Sequence, residues 1–297
     1  MNTILPDFRL QALLALSREG GVSAAASALG LSQPAVSRQL AELEAEYGCP
    51  LFERRGRRLH PTLAGQTLLS YAIRLDGLYR EARRSVSEAA GHRDYHIGAT
   101  LTVAEYFLPP TLATFHKAHP EYELRLVVAN TQEIVRAVRA GELSWAVVEG
   151  PFDPEGFEVR DIGEDRLIPL GPSPAGRLSL EGFLRLPLIL RESGSGTRAV
   201  FERWLASRGR DPENLAPAME IGSIGTIKAL VRGGLGVSVL SQLAVETELA
   251  SGLLCQLDVE GFPIARQLRL LRLPGISTIA VDAFAELLCL APPLSPG

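Results

Sequence analysis

From Ser23 to Leu40 the chain runs Ser-Ala-Ala-Ala-Ser-Ala-Leu-Gly-Leu-Ser-Gln-Pro-Ala-Val-Ser-Arg-Gln-Leu. Two helices joined by a tight turn cross closely only where small residues meet, and Ala25, Ala26 and Gly30 supply them. Ser23 is placed to cap the first helix and Ser32 the second, each offering an oxygen to free backbone N–H groups. Val36, Leu40 and Leu43, spaced by four and three, form an inward stripe. Gln33, Ser37 and Arg38 fall on the opposite one. Gln suits adenine and Arg suits guanine in the major groove. An ordinary Ala-rich helical hairpin with a solvated polar face would show the same pattern, so the next segment decides.

Arg54, Arg55, Arg57 and Arg58 surround Gly56 between Phe52 and Pro61. That is a hairpin wing with its cations on a tight turn, suited to phosphate or minor-groove contact. A run of Arg is by itself usually a solvated surface; its place beside the helix pair gives it weight. An upstream helix built on Leu10, Leu13 and Leu16 completes a three-helix core. Residues 8 to 65 resemble the winged helix-turn-helix of LysR-type transcriptional regulators, carried by Leu29-Gly30-Leu31-Ser32-Gln33-Pro34-Ala35-Val36-Ser37 and Leu51-Phe52-Glu53-Arg54. The residues assigned to contact with double-stranded promoter DNA are Ser23, Ser32, Gln33, Pro34, Ser37, Arg38, Arg54, Arg55 and Arg57.

At roughly 150 residues per domain, a chain of 297 residues suggests two units, and the part after residue 90 is long enough to bury its own core. The net charge of -4 does not exclude DNA binding, because the location of the cations decides that. Cys49, Cys255 and Cys289 are odd in number and far apart, which points to a reducing cytoplasm and not a disulfide framework. Neither an export-type apolar run near Asn2, Pro6, Asp7 and Arg9 nor a membrane-length apolar stretch occurs, so the expectation is a soluble cytoplasmic protein with no membrane partner.

From Thr62 to about Ala90 apolar residues recur at Leu68, Tyr71, Leu75, Leu78 and Ala82, a coiled-coil stripe that calls for a helix from a second copy. Two recognition helices would then read two half-sites. The family resemblance implies a dimer or tetramer. It also implies contact with RNA polymerase. Beyond a hinge at Gly91 to Asp94, candidate strands at 95–99, 122–129, 144–148, 186–190, 237–240 and 268–273 alternate with helical patterns at 105–118, 131–140, 197–208, 224–233, 242–250 and 278–290. Such alternation indicates βαβ units with parallel sheets.

The expected fold is therefore α/β behind an all-α-plus-wing head: a winged helix-turn-helix (1–61), a dimerisation linker helix (62–90) and an effector domain (91–297). The resemblance implies that this last part is two-lobed, like periplasmic binding proteins, with lobe I at 92–162 and 268–297 and lobe II at 163–267. Ligands of open α/β sheets sit beyond the carboxyl ends of strands, where helix N-termini point inward. Thr100, Thr102, Asn130, Thr131, Ser193, Gly194, Ser195, Thr197 and Ser223 lie at such junctions, and Glu149 ends another strand. Each hydroxyl could simply cap its helix; together they describe a donor-rich site for a small anion.

Arg191 to Arg198 and Val148 to Pro151 look most like the branch of the family that holds sulfur-assimilation and carbon-fixation regulators. That resemblance implies sulfate, sulfite, phosphate or a phosphorylated metabolite as effector and no bound cofactor. Two residues depart from it: Ile224 stands where relatives often carry a polar side chain, and Glu149 opposes an anion unless protonated or countered by Arg191 or Arg198. An enzyme tethered to DNA is the rival reading, but Gly194 to Arg198 lacks the Lys of a phosphate loop and no His lies among the cleft loops to activate a serine. His92, His96, His116 and His119 straddle a hinge and a strand, which disfavours a metal. A transport-type binding protein is the third reading.

Overall fold

In the computed structural model, which describes residues 5–56, 58–90, 94–274 and 279–290, each head helix starts and stops where a cap dictates. α1 (Phe8–Glu19) begins as the Asp7 carboxylate accepts the Arg9 N–H at 2.9 Å. α2 (Val22–Leu29) and α3 (Gln33–Tyr47) follow. Ala25 and Ala26 are buried with Leu13, Leu16, Val36 and Leu43 in one cluster, as the small-residue argument requires. Two details differ from expectation. A Cβ on Gly30 would meet nothing within 4 Å; glycine serves there because φ is +66° at the end of α2, a left-handed cap. Ser23 lies inside α2, exposed, and the cap position belongs to Gly21, which has no side chain to offer. Ser32 does cap α3, accepting the Ala35 N–H at 3.3 Å.

The wing is an antiparallel hairpin of β1 (Phe52–Arg55) and β2 (Arg58–Pro61), with Phe52 opposite Pro61 and Arg55 opposite Arg58. Glu44 on α3 anchors it by accepting the Leu51 N–H at 2.8 Å. Thr62 then starts α4 (Leu63–Ala89) by accepting the Gly65 N–H at 3.0 Å. Gly65 is obligatory, since a Cβ there would lie 2.0 Å from the Leu51 carbonyl oxygen. Along α4, Tyr71, Leu75 and Leu78 are 55%, 47% and 60% exposed. These head elements fall in the unit Met1–His92 with Arg139–Glu142, and the second unit comprises Arg93–Val138 and Leu143–Gly297. Residues 91–93, most of the expected hinge, lie outside the described residues, as does the Pro-rich end after Ala291.

In the second unit β3 (Asp94–Thr100), a π-helical turn (Val103–Phe107), α5 (Pro109–Ala118), β4 (Glu123–Ala129), α6 (Thr131–Arg139) and β5 (Trp145–Glu149) build the first lobe. β6 (Glu158–Gly171) leads to α7 (Leu180–Leu184), β7 (Ile189–Leu190), α8 (Gly196–Ser207), β8 (Met219–Glu220), α9 (Ile224–Arg232), β9 (Ser238–Ser241), α10 (Glu246–Ala250) and β10 (Cys255–Gln256), and β11 (Ile264–Arg272) returns before α11 (Ile279–Leu290). β3 pairs in parallel with β4 and β5, but β11 is antiparallel to both β5 and β6. The sheet is mixed, which corrects the parallel expectation.

β6 was not among the expected strands. Asp161, Glu164, Asp165 and Arg166 break its alternation, and it contains Pro169. It holds because β11 pairs with it from Ile264–Leu167 to Arg272–Glu158. These two strands cross between the lobes: β11 ends against β5, whereas β6 ends against β9 and β10. The expected 186–190 strand shrinks to Ile189–Leu190, and the 242–250 helix divides into a 3-10 turn and α10. β5 is buried on both faces, Trp145 and Val147 in one cluster and Ala146 and Val148 in another, as a strand covered by helices on either side must be.

Candidate functional site

Gln33, Pro34, Ser37 and Arg38 all lie exposed on the first turns of α3, opposite buried Val36. The fold thus presents one polar stripe at a helix N-terminus. Arg54, Arg55 and Arg58 are exposed on the wing, with Arg55 2.6 Å from Glu53. Arg57 lies outside the described residues. Ser23 is exposed on the preceding helix and holds no cap.

In the second unit the lobes meet where β5 ends and α8 begins. A Cβ on Gly196 would lie 2.1 Å from the Glu149 carbonyl oxygen, and one on Gly150 would lie 2.5 Å from the Gly196 Cα. Only glycines permit this approach. Beside it the Gln132 N–H, in the first turn of α6, donates to the Gly194 carbonyl at 3.3 Å. The N-termini of α6 and α8 therefore open at one place, as anion sites in α/β folds do.

Glu149, Asp165 and Arg266 form a buried charge cluster at this junction, 2%, 4% and 5% exposed. Arg266 Nε donates to Asp165 Oδ2 at 2.7 Å, and Ser241 Oγ donates to Asp165 Oδ1 at 3.0 Å. Nη1 donates to Thr197 Oγ1 at 3.0 Å and lies 3.7 Å from Glu149 Oε1. Thr100 Oγ1 donates to Glu149 Oε2, and Thr131 Oγ1 donates to the Glu149 carbonyl at 2.9 Å. Thr102 Oγ1 is buried with no hydrogen-bond partner among the described residues. Ser195 is buried and its side chain does not cap α8.

The structure thus brings Thr100, Thr131, Glu149 and Thr197 into one hydrogen-bonded set, with Gly194 and Ser195 in the adjoining turn. Asn130 Oδ1 caps α6 through the Glu133 N–H at 3.0 Å and lies 3.2 Å from where a Gly194 Cβ would be. Ser193 and Ser223 stand apart from the set. Ser193 is exposed with its N–H on Glu220, and Ser223 is exposed and caps α9 through Thr226. Ile224 is buried in the second lobe's core.

The counter-charge to Glu149 is Arg266, not Arg198, which is engaged by Glu202 at 2.7 Å and by Glu220. Arg191 pairs with Glu192 at 2.8 Å and acts on Glu149 only as a weaker charge. Arg266, Asp165 and Ser241 escaped the sequence reading. The available signal was a charged residue on the apolar parity of each strand: Arg266 alternates with Ile264, Leu268 and Leu270, and Asp165 with Leu167.

Burial pushes the Glu149 carboxyl above its ordinary 4.5, against the pull of Arg266 and with the help of Asp165. The geometry explains why burial wins: Arg266 commits its shorter contacts to Asp165. A carboxyl whose value is raised on folding adds stability below its unfolded value and loses it as pH rises through the folded one. Glu149→Gln should therefore match the parent near pH 4.5 and become progressively more stable than it as pH rises, read as urea midpoints across the pH range. Parallel profiles would show that Glu149 ionises in the folded protein as it does unfolded.

A head with an exposed recognition stripe and wing, together with a two-lobed α/β unit that gathers donors at its junction, defines a ligand-responsive DNA-binding regulator. Residues 8–66 match the bacterial regulatory helix-turn-helix protein, lysR family, and residues 89–289 match the LysR substrate binding domain. The chain belongs to the LysR family of transcriptional regulators and is a regulator, not an enzyme. It is 38% identical over 270 residues to the HTH-type transcriptional regulator CbbR of Xanthobacter flavus, covering 89% of this chain and 80% of that protein. It is 32% identical to the HTH-type transcriptional activator CmpR of Synechocystis sp., covering 89% and 88%. The regulatory domain of CcmR from Synechocystis PCC6803, solved in complex with 2-PG, superposes with a TM-score of 0.60 at 25% identity, covering 67% of this chain and 97% of that one. Among the described residues no helix is long and apolar enough to cross a membrane.

Proposed function

We propose that this regulator holds promoter DNA through Gln33, Pro34, Ser37 and Arg38 of α3 and Arg54, Arg55 and Arg57 of the wing, with Ser23 and Ser32 at the adjoining helix starts. A small anion at the lobe junction changes lobe closure and hence the DNA-bound state. Its working parts divide at 1–61, 62–90 and 91–297, with lobe I at 92–162 and 268–297 and lobe II at 163–267. It works in the cytoplasm as a dimer or tetramer through the exposed Tyr71, Leu75 and Leu78 stripe of α4, and RNA polymerase is the partner that reads its state. The effector belongs to the class of sulfate, sulfite, phosphate or a phosphorylated metabolite, and the 2-PG bound by CcmR supports a small-molecule effector.

The observation that carries this reading is the Thr102 hydroxyl, two residues beyond Thr100 of the junction set and buried without a hydrogen-bond partner among the described residues. A buried hydroxyl without a partner costs about 1–3 kcal/mol, which a bound acceptor returns. Glu149, protonated or held by Arg266, does not oppose the anion. Thermal unfolding of the full chain against sulfate, sulfite, phosphate and 2-PG tests it. At 100 times its dissociation constant the effector adds about 2.7 kcal/mol, a rise of roughly 5–10 °C for a domain of this size. The rise should vanish in Thr102→Val. No rise with any of the four would remove the small anion from the account.

A further inference from the structure

A cavity of about 360 Å³ lies outside the hydroxyl set, within the range of small-molecule sites. Thr100, Thr102, Thr131, Ser195 and Thr197 do not line it. Its floor is apolar, made by Pro151 after β5, Val200 and Trp204 on one face of α8, and Ile264 at the start of β11. Trp204 is held in place by Phe262, 4.7 Å between ring centroids, and by the Arg208 guanidinium 4.4 Å from its ring. The cations are Arg203, exposed on the same face of α8, with Arg269 and Arg266 on β11, and none of the lining residues is an acid. Arg269 is committed to Asp161 at 3.2 Å and Arg266 to the buried cluster, which leaves Arg203 to meet a ligand.

We propose that this cavity is a second effector site, for an organic monoanion with a flat apolar body such as an aryl carboxylate or sulfonate. The apolar floor takes the body and Arg203 takes the acid group, a charge-assisted contact that an uncharged analogue lacks. Its walls come from Gly150–Pro151 after β5, from β11, one of the two strands that cross between the lobes, and from α8, whose first turn carries Thr197. A ligand here therefore acts on the same lobe movement as the junction, and the two sites must influence each other's affinity reciprocally.

Titration calorimetry of the full chain with naphthalene-2-sulfonate tests the assignment. Saturable binding at one site per chain is expected, weakened about tenfold or more in Arg203→Glu, the scale of a lost charge-assisted contact, and retained in Arg203→Lys. Ser207→Trp, which fills the cavity, should abolish it. Naphthalene-2-methanol should bind far more weakly. The titration needs no small anion at the junction, so failure of the small-anion reading would not affect this result. Absent saturation, or indifference to both Arg203→Glu and Ser207→Trp, would overturn it.

Discussion

Arg266→Ala should destabilise the effector-binding unit by about 3–5 kcal/mol, the scale seen when one partner of a buried ion pair is removed. At the sizes involved this is roughly 10 °C or more in unfolding temperature. The reason is the stranded charge: Asp165 loses its 2.7 Å contact from Nε, Glu149 loses its counter-ion at 3.7 Å, and both carboxylates stay buried. The loss should be greatest at high pH and shrink towards acid, where protonation neutralises Glu149. Adding Asp165→Asn and Glu149→Gln to Arg266→Met should recover much of it, since a neutral buried set leaves no unpaired charge. A single substitution costing under about 1 kcal/mol, the value of an exposed pair, would mean that water reaches the cluster and the lobe junction is open.

The second large effect concerns DNA. Each phosphate contact contributes about 0.9 to the slope of log affinity against log salt, so Arg54→Ala with Arg55→Ala should flatten that slope by roughly 1.8 and weaken all sequences alike. Gln33→Ala should behave differently, costing about 1–3 kcal/mol at the cognate base and relaxing preference there. Anisotropy titrations at several salt concentrations separate the two. An unchanged slope would remove the wing from the interface, and equal loss on all sequences in Gln33→Ala would make that residue a positioning contact.

The head was legible because its determinants are local. Small residues at Ala25 and Ala26, the Ser32 cap and a glycine at the wing turn each act within a few positions, and among the described residues the structure departs at Gly30 and Ser23, where the glycine serves φ and the cap position belongs to Gly21. The second unit was legible as alternating strands and helices but not as a mixed sheet, because strand direction depends on which distant segment pairs with which. β6 was invisible for that reason: its charged first half and Pro169 carry no apolar alternation, and only pairing along β11 makes it a strand. The hydroxyls of the junction were found as helix starts. Their charge partner was not, since Arg266 and Asp165 are 101 positions apart and nothing local joins them. Ser223 was grouped with them on the same helix-start signal, and it caps α9.

Control of DNA binding by a ligand at the lobe junction is tested most directly by one titration. The full chain is equilibrated with duplexes selected by it from a random library, with and without whichever of sulfate, sulfite, phosphate or 2-PG raises its unfolding temperature, at constant ionic strength. The account predicts sequence-selective binding whose affinity or protected length changes with the ligand, and no such change in Gly196→Ala, where the added methyl would force Glu149 and α8 apart. Selective binding that is identical with and without the ligand would contradict it.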